Sequence, residues 1–189
     1  MTLPADPADR HREVATGFSA RVRAVSDWDA PSPVAAWSTR DVVRHLVEWF
    51  PSFLANGAGI RLPHGPDADV DPVAAWQVHS DAVQAVLDDP ASADKVLTDR
   101  HIGEAPLPEA IDRFYTSDVF MHTWDLARGA GLDDRLDAEA CAAMFAEMEP
   151  LADMLASSGQ YGERVPVPDS ADAQTRLLGL IGRDPSWTP

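Results

Sequence analysis

The sequence predicts an all-α fold, and three observations carry the prediction. Apolar residues recur at helical spacing in five segments. Those segments are bounded by capping residues or by proline and glycine. No stretch of useful length alternates apolar with polar residues, as a half-buried strand would. At 189 residues and 45% hydrophobic content, without internal repeats or low-complexity tracts, the chain suffices for a single domain with a full core. The expected organisation is one helical domain over residues 1–189, with a short C-terminal tail, 157–189, packed on it.

The first helix runs over roughly residues 7–26, with Val14, Phe18, Val22 and Val25 on one face, and prolines 31 and 33 close it. The second has the clearest start. Ser38 is placed as N-cap and Asp41 at the third helical position, while Trp37 and Val42 are spaced for a hydrophobic staple. Its apolar stripe is Val42, Leu46, Trp49 and Phe53, and His45 lies on that same stripe. Pro51 removes one backbone donor and predicts a kink, and Asn56-Gly57 predicts the end. After a long loop a third helix spans Val73 to Leu87 and is stopped by Asp88-Asp89-Pro90. A second loop, including Asp99 to Pro108, leads into a fourth helix over 108–128, closed by Gly129 and Gly131. The fifth runs from Ala138 to about Ala156, its core face formed by Cys141, Met144, Phe145, Met148, Leu151 and Leu155. One short helical turn is expected at Arg176-Leu177-Leu178.

Composition excludes some function classes. A formal net charge of −16 repels phosphate backbones and anionic membrane surfaces, so neither nucleic acid nor a membrane is an expected partner. No apolar run reaches the roughly 20 residues a membrane helix needs. The first residues lack the charged-then-apolar layout of a signal peptide, so a cytoplasmic protein is expected. The lone cysteine, Cys141, permits neither an internal disulfide nor a cysteine zinc knuckle. With nothing basic beside it on its helix, it reads as a buried small hydrophobe.

The chemistry concentrates in Asp118-Val-Phe-Met-His122-Thr-Trp-Asp125. Asp118 and His122 are four residues apart and stack on one helix face, and Asp125 extends the stripe. The flanking residues are apolar, where a carboxylate and an imidazole are costly to bury unpaired, and a divalent ion satisfies both. A catalytic mononuclear site needs about three protein ligands and one open position. His45, on the core stripe of the second helix, is the best third candidate. One imidazole on an apolar stripe is ordinarily a satisfied core residue. Two such histidines with a carboxylate on core faces turn the reading toward a metal site, His45–Asp118–His122. Asp125 is read as orienting an imidazole, with an ion pair to Arg128 as the plainer reading. His79 reads as a packing or helix-surface residue, and His11, His64 and His101 as solvated.

Three stretches resemble one family. They are Trp37-Ser-Thr-Arg-Asp-Val-Val-Arg-His45-Leu, then Asp118 through Arg128, and a closing signature of Tyr161-Gly-Glu-Arg-Val-Pro-Val-Pro with Arg176 through Trp187. The chain resembles the DinB-like metal-binding proteins of actinobacteria, which are related to the N-terminal domain of mycothiol-dependent maleylpyruvate isomerase. The resemblance implies a four-helix bundle with a long crossover connection and a metal held near one end by three side chains. His45 and His122 match the family's first and last histidines. Asp118 matches the acidic or histidine ligand four residues before the last, and here it is the shorter Asp.

The resemblance further implies a metal- and thiol-dependent transferase or isomerase, in which the metal holds a small thiol of the mycothiol type as its thiolate against an electrophilic substrate. Asp125 and Tyr115 are then candidates to orient the ligands or substrate. His₂-carboxylate ligation suits zinc first, and also nickel or iron. Two alternatives use the same residues: a metal-dependent hydrolase, which needs no thiol, and a non-catalytic metal- or ligand-binding bundle. Exposed apolar helix faces in such bundles make a homodimer a further expectation.

Overall fold

In the computed structural model, which describes residues 3–100 and 102–189, the chain is mostly helical with one small antiparallel sheet. Aspartate N-caps start most of the long helices, because a short side-chain acceptor satisfies amides that the first turn leaves without partners. Asp6 caps α1 (Pro7–Ala24), Asp71 caps α3 (Pro72–Asp88), Asp137 caps α7 (Ala138–Met148) and Asp172 caps α9 (Ala173–Leu180). The helix between α1 and α3, α2 (Thr39–Ala58), begins on the capping box expected from its sequence: the Ser38 amide donates to Asp41 Oδ2 at 2.8 Å, and the Asp41 amide donates to Ser38 Oγ at 3.3 Å.

Helices α1 and α2 each pack against α3 and against α6 (Ser117–Gly129). Their contact faces merge into one core that includes Phe18, Val43, Leu46, Phe50, Leu54, Trp76, Tyr115, Trp124 and the tail residues Leu177 and Leu178. Along α2 the fully buried apolar positions are Val42, Val43, Leu46, Phe50 and Leu54, and Trp49 and Phe53 sit at the edge of the core. The edge bearing His45 and Trp49 faces α6, where both side chains meet Asp118. The crossover between α2 and α3 is tied back onto α2 by arginines: Arg40 donates to the Asp69 carbonyl at 3.2 Å, and Arg44 bridges Asp41 and Asp69. Among the described residues no helix is long and apolar enough to cross a membrane.

Several local expectations need correction. Helix α2 continues through Pro51 and past Asn56-Gly57 to Ala58, and the left-handed residue that ends it is Gly59 at φ +68°. Gly57 instead lets strand β1 (Val96–Asp99) approach, since a Cβ there would lie 2.8 Å from Leu97 Cγ. Between α3 and the fourth predicted helix the chain forms a short helix, α4 (Pro90–Ala93), and an antiparallel hairpin of β1 with β2 (Gly103–Pro106). Four-residue strands are too short to show alternation, and β1 buries only Leu97. The fourth predicted helix is composite, with α5 (Leu107–Ala110) and a π-helical turn (Ile111–Thr116) leading directly into α6. The fifth breaks at Pro150, which cannot donate to the preceding turn: a 3₁₀ turn (Glu149–Leu151) and α8 (Ala152–Ser157) follow, and Leu151 is exposed.

His11, expected in solvent, is fully buried and its Nδ1 lies 2.9 Å from Thr116 Oγ1. Heptad-like spacing explains why: His11 precedes Val14, Ala15 and Phe18 on the core face of α1. His79 is buried beside Trp76, and His64 is exposed as expected. His101 lies outside the described residues.

Candidate metal centre

The site is built from two helices that the core holds face to face. Helix α2 presents His45 and, one turn on, Trp49. Helix α6 presents Asp118 and, one turn on, His122. One ligand atom from each of His45, Asp118 and His122 lies within 4.8 Å of the others, a grouping that can hold a metal ion. Asp118 is the hinge of the group. Its Oδ2 is 3.1 Å from His45 Nε2 and accepts from Trp49 Nε1 at 3.0 Å, while its Oδ1 is 3.4 Å from His122 Nε2. The shorter Asp therefore reaches both imidazoles. The Trp37 ring lies 5.1 Å from the His45 ring and 5.8 Å from the His122 ring, walling one side. Exposure rises across the group, from 8% at the His122 side chain to 30% at His45, so the access side is at α2.

Asp125 lies a turn deeper. It is 1% exposed, and its Oδ2 is 2.8 Å from His122 Nδ1. Arg183, from the tail, forks onto the same carboxylate, with Nε 2.8 Å from Oδ1 and a terminal nitrogen 3.1 Å from Oδ2. Arg128, the partner considered from sequence, does not take this place: it pairs with Asp134 at 3.1 Å and donates to the Pro185 carbonyl at 2.6 Å. On a helix, positions three apart can pair, but the stronger bidentate partner arrives from 58 residues away.

Charge follows from this packing. Burial pushes the Asp118 carboxyl up, but the His122 charge and the His45 and Trp49 hydrogen bonds outweigh it and hold the group below its ordinary value. Burial likewise opposes ionisation of Asp125, and the His122 hydrogen bond and Arg183 charge overcome it, again lowering the value. For His122 burial lowers and the Asp118 and Asp125 carboxylates raise, with a net rise. The two carboxylates are thus held ionised by the imidazoles and the Arg183 guanidinium packed against them.

A model of the mycothiol maleylpyruvate isomerase N-terminal domain family matches residues 11–127, more than half of the chain. The chain belongs to this family. Two uncharacterised proteins from two strains of Mycobacterium tuberculosis are each 25% identical to it over 186 residues, covering 94% of this chain and 98% of each relative. No solved structure matches the chain.

The isomerase-domain match contains His45, Asp118, His122 and Asp125 and ends before the tail. Arg183 lies outside it, and so does Tyr161, whose phenol is pushed up by burial and next by the nearby Asp118 charge. Tyr115 makes no hydrogen bond to the three candidate ligands. It is fully buried, stacked on Phe50 with ring centroids 4.0 Å apart and 5.9 Å from the Trp49 ring, so it touches the centre through Trp49. Cys141 is buried and its thiol is pushed up to about 12, chiefly by burial, as an inert core cysteine would be. A separate cleft of about 190 Å³ between α2, the 63–68 segment and α3 is lined by Glu48, His64 and His79, and does not include the His–Asp–His group.

Sequence reasoning assigned Trp49 to the core and gave Arg183 no role. Trp49 carried a signal, since it follows His45 by one helical turn. Arg183 lies within the closing signature, but nothing there pointed to its partner, which is distant in sequence.

Proposed function

We propose that this protein is a DinB-like, divalent-metal-binding member of its family that works with a thiol of the mycothiol type, as a transferase or isomerase acting on an electrophilic substrate. One observation carries the reading: His45, Asp118 and His122 converge from two helices, with one side left accessible. The donor set, two imidazoles and a carboxylate, suits zinc, and also nickel or iron. A bound ion of this kind supplies positive charge that favours the thiolate form of a thiol at neutral pH.

The chain's own residues do the rest. Asp125 accepts from His122 Nδ1–H and so leaves Nε2 with its lone pair on the Asp118 side. Trp49 donates to Asp118 Oδ2 and restrains the carboxylate's rotation. Trp37, Trp49 and Phe53 make the surroundings apolar, which strengthens electrostatic interactions at the opening. The packing of α1 and α2 on both α3 and α6 supports the family's four-helix bundle with a long crossover. A core continuous from α1 to α9 supports one domain over residues 1–189.

The test is elemental analysis of untagged protein purified without chelators, beside His45→Ala and His122→Ala, followed by turnover assays with and without added thiol. About one metal per chain in the parent and loss in both variants are expected. Turnover should require both metal and thiol. Turnover with metal but no thiol would replace this reading with hydrolysis. A metal-loaded protein inert to every thiol and electrophile offered would leave a binding role, and a parent that takes up no zinc, nickel or iron would remove the metal altogether.

A further inference from the structure

Resting on the metal-centre reading, we infer that Arg183 is a positioning residue of that centre and that the C-terminal segment is built to deliver it. The segment lies beyond the family-matched residues 11–127. Its guanidinium holds both oxygens of the buried Asp125 carboxylate, at 2.8 and 3.1 Å. A bidentate fork fixes the plane of a carboxylate as a single hydrogen bond cannot. Fixing that plane aims Oδ2 at His122 Nδ1, 2.8 Å away, and so fixes the imidazole whose Nε2 faces Asp118. Arg183 therefore acts on the candidate ligand His122 through one intermediary, Asp125.

The backbone that places it is equally specific. Just past the end of α9, Gly182 stands in the left-handed region at φ +78°; the Arg183 amide donates to the Leu178 carbonyl at 2.8 Å and the Gly182 amide to the Gly179 carbonyl at 3.3 Å. This paired closure of the last turn fixes where Arg183 leaves the helix end. The returning strand of chain lies directly on this cap. A Cβ on Gly182 would fall 2.4 Å from the Gly162 carbonyl carbon, one on Gly179 would fall 2.7 Å from the Val165 oxygen, and the Val165 amide donates to the Gly179 carbonyl at 2.8 Å. Glycine at 162, 179 and 182 thus permits a backbone-on-backbone seat. Arg128 of α6 adds a second tie by donating to the Pro185 carbonyl at 2.6 Å.

The experiment compares parent, Arg183→Gln and Arg183→Lys proteins. Zinc affinity is measured by chelator competition and ligand geometry by the visible spectrum of the cobalt(II)-loaded proteins, with thermal melts of the metal-free proteins as a check on folding. Arg183→Gln should bind zinc roughly 10- to 100-fold more weakly and shift the cobalt bands, the loss typical when a residue supporting a ligand is removed. Arg183→Lys restores charge without the fork and should fall between. A folded Arg183→Gln protein with parental affinity and spectrum overturns the inference and leaves the metal centre standing. If Arg183→Gln does not fold, the Lys variant decides: weaker zinc binding and shifted cobalt bands relative to the parent support the role, and parental values overturn it. A parent that binds neither zinc nor cobalt overturns the metal reading and this inference with it.

Discussion

Burial lowers each of the buried histidines of this protein, and the charges beside the ring decide whether that effect wins. His122 is raised because two carboxylates outweigh its burial. For His11 burial and the Arg12 charge outweigh the opposing Asp88 carboxylate, for His79 burial is joined by the His11 charge, and each is lowered to about 4 from 6.5. A histidine whose folded value lies below its unfolded value binds fewer protons in the folded state between the two. Stability from these two is therefore fully present above pH 6.5 and is lost as the pH falls toward 4. A shift of 2.5, from 6.5 to 4, corresponds to about 3 kcal/mol for each ring. The melting temperature should therefore fall between pH 7 and pH 5, and His79→Gln should flatten that fall; an unchanged slope in the variant would show that His79 is protonated without cost. Sequence alone placed His11 in solvent, because charged neighbours at positions 10, 12 and 13 masked its place on the core face.

At the scale of elements, what matters is how α2 and α6 keep His45 level with Asp118. Gly129, the last residue of α6, sits against the turn that precedes α2: a Cβ there would lie 2.8 Å from the Pro31 carbonyl oxygen and 3.0 Å from Thr39 Cγ2. The close partner is backbone and cannot swing away. Gly129→Ala should cost about 1–3 kcal/mol, the usual penalty for overpacking, which amounts to several degrees in a thermal melt. It should also weaken metal uptake by displacing α6 along α2. Parental stability and uptake together would show that the two helices are held elsewhere. Helix starts were legible because caps are local: Ser38 with Asp41 sufficed to place α2. The hairpin and the π-helical turn were not, since short strands and register changes leave no periodic trace, whereas the break at Pro150 has its signal in the proline.

For the whole molecule, a ligand that binds only the folded chain stabilises it by mass action. Zinc at a free concentration 100 times its Kd adds about 2.7 kcal/mol. The parent's melting temperature should rise with zinc and continue to rise with each tenfold increase, whereas that of His122→Ala should not move. An equal rise in both would place the ion elsewhere on this acidic surface, whose net charge is −16. The tail also belongs to this scale. Leu177 and Leu178 join the common core, and Arg183 reaches Asp125 across 58 residues of sequence.

By itself the sequence determined the helical class, most helix starts and the three residues that could meet at a metal. Each of these is written in spacing or in a local cap, and helical geometry alone puts Asp118, His122 and Asp125 on one face. Tertiary structure decided that His45 comes within 3.1 Å of Asp118, that Trp49 and not Tyr115 bonds the carboxylate, and that Arg183 and not Arg128 holds Asp125. Those choices depend on which faces two helices turn to one another and where a tail is seated, and such distances are set by packing between segments far apart in the chain.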